Sequence, residues 1–186
     1  MPQHGRNRPR RGSAGYWPRK RASRIYPRIK TWPEIEEVKP VAFAGYKVGM
    51  THMFIIDNRK DPPTYNEEIF VPVTVIEVPP LRVAGLRLYK LTNNGYKTLT
   101  EVWSPNTDTK IKRKIKTFNL NGFEEKLDKI EKELLPETSL IKLIVHTQPW
   151  LAGIGKKTPE VFEISVGGKK IDEMWNYSKG LLGKEL

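Results

Sequence analysis

The sequence predicts an α+β fold, mainly β, carried behind an extended basic arm. Three observations predict it. Apolar and β-branched residues dominate the stretches beginning near Val41, Ile69, Leu81, Lys97, Leu140 and Val161, several with the period-two spacing of strands. Only two stretches, one through Phe123, Leu127, Ile130 and Leu134 and one from Ile171 to Leu182, repeat apolar residues at helical spacing. The first 33 residues hold ten basic side chains and no acidic one, and Pro9, Pro18, Pro27 and Pro33 punctuate them. Each proline removes an amide donor and pushes its predecessor towards extended geometry, so neither a long helix nor a central strand fits the arm.

The arm also carries most of the net charge. The whole chain has 33 Lys and Arg against 21 Asp and Glu, a balance of +12, and without the arm 23 face 21. Such a segment buries too little apolar surface to fold alone, and it is expected to order on a polyanion. Nucleic acid suits it: phosphates attract the guanidinium groups, and bases stack on Tyr16, Trp17, Tyr26 and Trp32. Arginine outnumbers lysine eight to two here, which favours bidentate phosphate contacts and stacking over point-charge attraction. The blander reading is a solvated basic tail or a targeting run, and four interleaved aromatics weigh against it.

At 186 residues and 38% hydrophobic content, the chain can bury a core as one large domain or one and a half. It has no cysteine, which excludes disulfides and thiolate chemistry. No apolar run approaches the roughly 20 residues of a membrane-crossing helix, and the N-terminus lacks a signal-peptide core, so an intracellular protein is expected.

Taken in order, Glu34 to Pro40 reads as an acidic linker. In the first strand Tyr46, Val48, Met50, Phe54 and Ile56 alternate on one face, with Lys47, Thr51, Met53 and Ile55 on the other. Gly45 and Gly49 interrupt it, as at a bulge, a barrel corner or a close backbone approach. A polar loop from Asp57 to Asn66 leads to IFVPVTVIEV, where Pro72 marks an edge or bulge. LRVAGLRLYKL, the Asn93–Gly95 turn and KTLTEVW read as a hairpin, so the first four strands form a meander or part of a barrel. Basic residues recur at Lys110, Lys112, Arg113, Lys114 and Lys116, before a short amphipathic helix that Pro136 ends. LIKLIVHT is apolar enough for a strand buried on both faces, VFEISVGG is a further strand, and a second helix stops at Gly183.

Candidate sites are few. His4, His52 and His146 lack partners at metal-ligand spacing, and neither a nucleophile elbow nor a phosphate-binding loop appears, so no enzyme, metal or cofactor is expected. GIGKKTP at 153–159 and GGKK at 167–170 set lysine pairs beside glycines. They read equally as phosphate-approach loops, with Lys156 and Lys157 as contacts, and as ordinary turns. Trp103, Trp150 and Trp175 are expected to pack inside.

The segments RPRRGSAGYWPRKRA, PRIKTWPE, FAGYKVGMTH, PVTVIEVPPLRVAGLRLY, LTEVW, HTQPW, GKKTPEVFEISVGGK and YSKGLLGKEL, in this order along the whole chain, closely resemble the archaeal and eukaryotic form of the universal L-three family of large-subunit ribosomal proteins. The resemblance implies a structural constituent of the large ribosomal subunit, cytoplasmic, that binds large-subunit (23S-type) rRNA, lies among other large-subunit proteins and supports assembly without chemistry. It implies a translation-protein β-barrel bearing an α/β insertion, and hence an arm at 1–40, a first barrel part at 41–105, an insertion and return strand at 106–170, and a terminal helix at 171–186. The expected rRNA contacts are Arg6, Arg8, Arg10, Arg11, Tyr16, Trp17, Arg19, Lys20, Arg21, Arg24, Arg28, Lys30 and Trp32 in the arm, Lys47 and His52 on the first barrel strand, and Lys156 and Lys157. Family chains continue past the segment matching YSKGLLGKEL. The chain is therefore expected to be one product of a split gene or a truncated copy, with a separate polypeptide supplying the remaining barrel strands. The runner-up is a free RNA-binding or ribosome-assembly factor using the same arm.

Overall fold

The computed structural model describes residues 22–117, 120 and 122–186. The described residues before Trp32 belong to one unit and Trp32–Leu186 to a second. In the second unit the strands are β1 (Tyr46–Ile56), β2 (Glu68–Glu77), β3 (Arg82–Thr92), β4 (Gly95–Trp103), β5 (Leu140–His146) and β6 (Val161–Ser165), with helices α1 (Phe123–Lys129) and α2 (Ile171–Leu181). The fold is mixed α+β, mainly antiparallel strands. The first four strands do not run on as one meander. β1 and β2 make a sheet of their own, whereas β3 and β4 join a four-stranded sheet of order β4-β3-β5-β6, and no closed barrel is present among the described residues. Pro79 and Pro80 sit at the break, where neither has an N–H to carry a ladder onward.

The four-stranded sheet holds the core. Leu86, Leu88, Leu143, Val145 and Ile164 face Leu127, Ile130, Met174 and Trp175 in one buried cluster. Helix α1 packs on β4, and α2 on β5 and β3. The two helical regions are also tied by hydrogen bonds, since Glu131 accepts from the Trp175 indole N–H at 2.9 Å and from Lys179 at 2.7 Å. The first helix was expected to run unbroken to Pro136. It is α-helical only to Lys129, then widens through Ile130–Leu134, where the Leu135 N–H reaches back to Ile130, and ends in a tight turn at Leu135–Glu137. Pro136 has no N–H for the preceding turn, so the regular ladder loosens before it.

Behind the same sheet lies a smaller cluster of Ala84, Trp103, Ile111 and Ile144. Beside it a charged row takes one residue from each strand. Arg87 pairs with Glu101 and Glu163, Lys142 pairs with Glu163 at 3.3 Å, and the Tyr89 hydroxyl donates to Glu163. Burial pushes the carboxyls of Glu101 and Glu163 up, but donors outweigh it and hold both below the ordinary value: Arg87 and the Trp103 indole at Glu101, and Tyr89, Arg87 and Lys142 at Glu163.

The acidic linker at 34–40 and the residue after it lie along the end of β6: Val41 donates to Ser165 at 3.0 Å, Gly167 to Lys39 at 2.8 Å and Gly168 to Ile35 at 3.0 Å. The β1–β2 hairpin is different. Its register shifts between Lys47 and Gly49, so Val48 is an extra residue, and the expected alternation fails there. The bulge moves Tyr46 to the face of Thr51, Met53 and Ile55, and Lys47 to that of Met50 and Phe54. At the tip, buried Asp57 accepts from the Arg59 guanidinium and backbone and from Thr64 at 2.7 Å, which holds its carboxyl well below the usual range.

Candidate nucleic-acid interface

The expected contacts fall in separate places. Arg6, Arg8, Arg10, Arg11, Tyr16, Trp17, Arg19, Lys20 and Arg21 lie outside the described residues. Arg24, Arg28 and Lys30 are exposed on backbone with no helix or strand, as four prolines in the arm require. Tyr26 is half-buried. Trp32 opens the folded unit, half-buried, with its indole N–H shielded and without an acceptor among the described residues.

Lys47 and His52 sit on β1, both exposed. The His52 ring lies 4.2 Å from that of Phe70 on β2, a cross-strand diagonal contact. His146, at the end of β5, is fully buried. Its Nδ1 lies 3.1 Å from the Thr147 carbonyl, which can only accept, so the proton sits on Nδ1, and Nε2 has no partner among the described residues. Burial pushes its pKa down, which favours the neutral imidazole.

The two glycine–lysine loops resolve in opposite directions. In GGKK the glycines are used for packing: at Gly168, with φ +142°, a Cβ would stand 2.7 Å from Met174, and at Gly167 one would stand 3.2 Å from the Glu37 carbonyl. Lys169 pairs with Glu36 and Lys170 with Glu173. This is an ordinary packed turn. In GIGKKTP, space is open where a Cβ would be at Gly153 and at Gly155, so no packing demands glycine at either. Lys156 bonds Glu160 at 2.8 Å, while Lys157 is exposed and pairs with no carboxylate among the described residues.

Around Lys157 the fold assembles a group that the expected contacts left out. The turn after β4, Thr109–Arg113, is capped by Asp108, whose side chain accepts from the Lys110 N–H at 2.9 Å, and is nailed to the sheet by fully buried Ile111. It brings Arg113 to the Lys157 carbonyl at 3.1 Å, and Lys114 to Glu160 at 2.9 Å. Lys110 lies 3.8 Å above the half-buried Trp150 ring. Burial pushes the Glu160 carboxyl up, yet hydrogen bonds from Lys156 and Lys114 hold it below its ordinary value. The signal was present in the sequence as five cations within the seven residues from Lys110 to Lys116. Its proximity to Lys157, more than forty residues later, was not.

Comparison with known proteins gives a consistent picture. The family profile described as Ribosomal protein L3 matches residues 1–185. Large ribosomal subunit protein uL3 of Nanoarchaeum equitans is 48% identical over 186 residues, covering 100% of this chain and 55% of that protein. The proteins of the same name from Archaeoglobus fulgidus and Methanopyrus kandleri are 46% and 45% identical, across 97% and 96% of this chain but 54% and 50% of their own lengths. The chain thus spans about half the length of the curated relatives it matches.

Proposed function

The chain belongs to the Ribosomal protein L3 family, and from that premise we propose that it is a non-enzymatic structural constituent of the large ribosomal subunit that binds large-subunit rRNA in the cytoplasm. The observation that carries the reading is the match along the whole chain together with the Arg-rich, acid-free first 33 residues. Among the described residues no helix is long and apolar enough to cross a membrane. The arm to residue 40 grips rRNA through its guanidinium groups and aromatic rings, and Lys47, His52, Lys156 and Lys157 add contacts from the folded part. Residues 41–105 begin a β-barrel, 106–170 form an α/β insertion with its return strand, and 171–186 lead out of it.

The hairpin supports the partner half of the reading. A two-stranded sheet is marginal by itself, and both of its faces carry exposed apolar side chains, Met53, Ile55 and Val75 on one and Met50, Phe54, Ile56, Phe70 and Ile76 on the other. We assign its cover to barrel strands on a separate polypeptide, beside neighbouring large-subunit proteins. Sedimentation of native ribosomes tests the function: stoichiometric retention on large subunits through a high-salt wash is expected, and a free pool with transient association would replace this reading by that of an assembly factor. A mass-spectrometric inventory of the washed particle tests the partner, and finding no complementary fragment would remove it. Deleting Met1–Pro33 is expected to weaken rRNA binding far more than it weakens the folding of the globular part.

A further inference from the structure

Outside the first 33 residues the charges nearly cancel, 23 basic against 21 acidic, yet seven of those cations gather on one platform: Lys110, Lys112, Arg113, Lys114 and Lys116 from the turn after β4, with Lys156 and Lys157 from the loop after β5. Three carboxylates lie against these segments, and one of them, Glu77, accepts from the Gly153 N–H at 3.3 Å. Asp108 is occupied in capping the turn, and Glu160 is shared by Lys114 and Lys156. Lys112, Lys116 and Lys157 are exposed and make no ion pair among the described residues.

The platform is held in place rather than solvated at random. Ile111 roots one side in the core, and the Lys114 and Ile115 amides both donate to its carbonyl. The other side is stitched to the end of β5, where Thr147 donates to the Glu160 carbonyl at 3.0 Å and its Oγ1 accepts from the Glu160 N–H at 3.0 Å. The Arg113 bond to Lys157 joins the two. Fixed cations beside Gly155, where a Cβ would meet nothing, can receive a sugar–phosphate backbone closely and with little ordering cost.

We propose that this platform is a second RNA-backbone contact, built into the folded unit and independent of the arm, with Lys112, Lys116 and Lys157 as its phosphate-binding side chains. The proposal rests on the rRNA-binding reading and adds a pre-formed site to it. Membrane headgroups are a poorer match, because the Trp150 ring that would insert is already covered by Lys110.

The test uses the full chain with a transcript of archaeal 23S-type rRNA. In the triple variant K112Q/K116Q/K157Q, the slope of log affinity against log salt is expected to shrink by about 2 to 3, since each lost phosphate contact removes roughly 0.7 to 0.9. The circular dichroism spectrum should not change, because none of the three lysines holds the fold. On binding, those lysines should be protected from acetylation while Lys132, exposed on the extension of α1, stays reactive. An unchanged slope with a lowered slope in an R8Q/R10Q/R11Q control overturns the platform alone. Unchanged slopes in both variants overturn the rRNA reading itself. Loss of binding to phosphatidylserine vesicles with no change on RNA would assign the platform to a membrane surface instead.

Discussion

The two sheets of this protein are built from the same kinds of residue and meet opposite fates. On the four-stranded sheet Leu86, Leu88, Ile141 and Leu143 are fully buried, because α1 and α2 lie over that face. On the hairpin Val48, Phe54 and Ile56 are 64%, 66% and 69% exposed, because nothing in the described residues lies over them. A strand's apolar side chains stabilise a fold only when a second layer removes them from water. One sheet is therefore the core of the chain, and the other is a surface waiting for a layer.

The sharpest way to break this contrast is to truncate an equivalent residue in each sheet. Leu143→Ala should cost about 2 to 5 kcal/mol in denaturant unfolding of the free chain, from lost transfer energy plus the cavity left. Phe54→Ala should cost well under about 1 kcal/mol in the same experiment, yet lower incorporation into large subunits. Equal losses in the free chain would mean that the hairpin is already packed.

Next in size is the charged row behind the four-stranded sheet. Glu163→Ala leaves the Tyr89 hydroxyl and Lys142 without their acceptor in half-buried surroundings, and should cost about 1 to 3 kcal/mol. Reversing an exposed charge, as in Lys47→Glu on the open hairpin, should stay within about 0.5 kcal/mol. A similar penalty at both sites would erase the distinction.

Hydrogen exchange sharpens the comparison without mutation. Amides of β3 and β5 should exchange only on global unfolding, while those of β1 and β2 exchange by local opening in the free chain and become protected on the particle. Protection of all four strands in the free chain would contradict an uncovered hairpin.

The smallest effects are those of pH. His146 has its pKa lowered in the fold, so below its ordinary value of 6.5 the unfolded chain binds a proton that the native chain does not. Its contribution to stability should therefore fall as the pH drops through that value and rise as the pH is raised. His146→Gln should flatten this segment of the stability curve. Glu101, Glu160 and Glu163, whose pKa values are lowered from 4.5, contribute above that pH, and their share is lost at more acid values. Urea titrations across pH 4 to 8 read both; a flat native profile would refute the buried neutral imidazole.

Much of this was legible beforehand because it depends on neighbours in sequence. The apolar run at Leu140–His146, the Asn93–Gly95 turn and the stop after Leu181 each declare their element within a few residues. The Val48 bulge was only half legible: Gly49 announced an irregularity, but which residue became extra is set by the register with Val75 and Ile76 on the other strand. The GGKK and GIGKKTP loops look alike in sequence and part only in space, where Met174 and Glu37 crowd the first and leave the second open.

The sequence by itself determined the element types, the basic arm and the family, because periodicity, proline placement and charge act over short stretches of chain and survive without any partner. The tertiary structure alone decided that β3 leaves the first hairpin to pair with β5, that the charges of four strands form one row, and that cations more than forty residues apart share a platform. Those outcomes depend on which distant surfaces exclude water together. Burial is a property of pairs of elements, and no single stretch of sequence carries it.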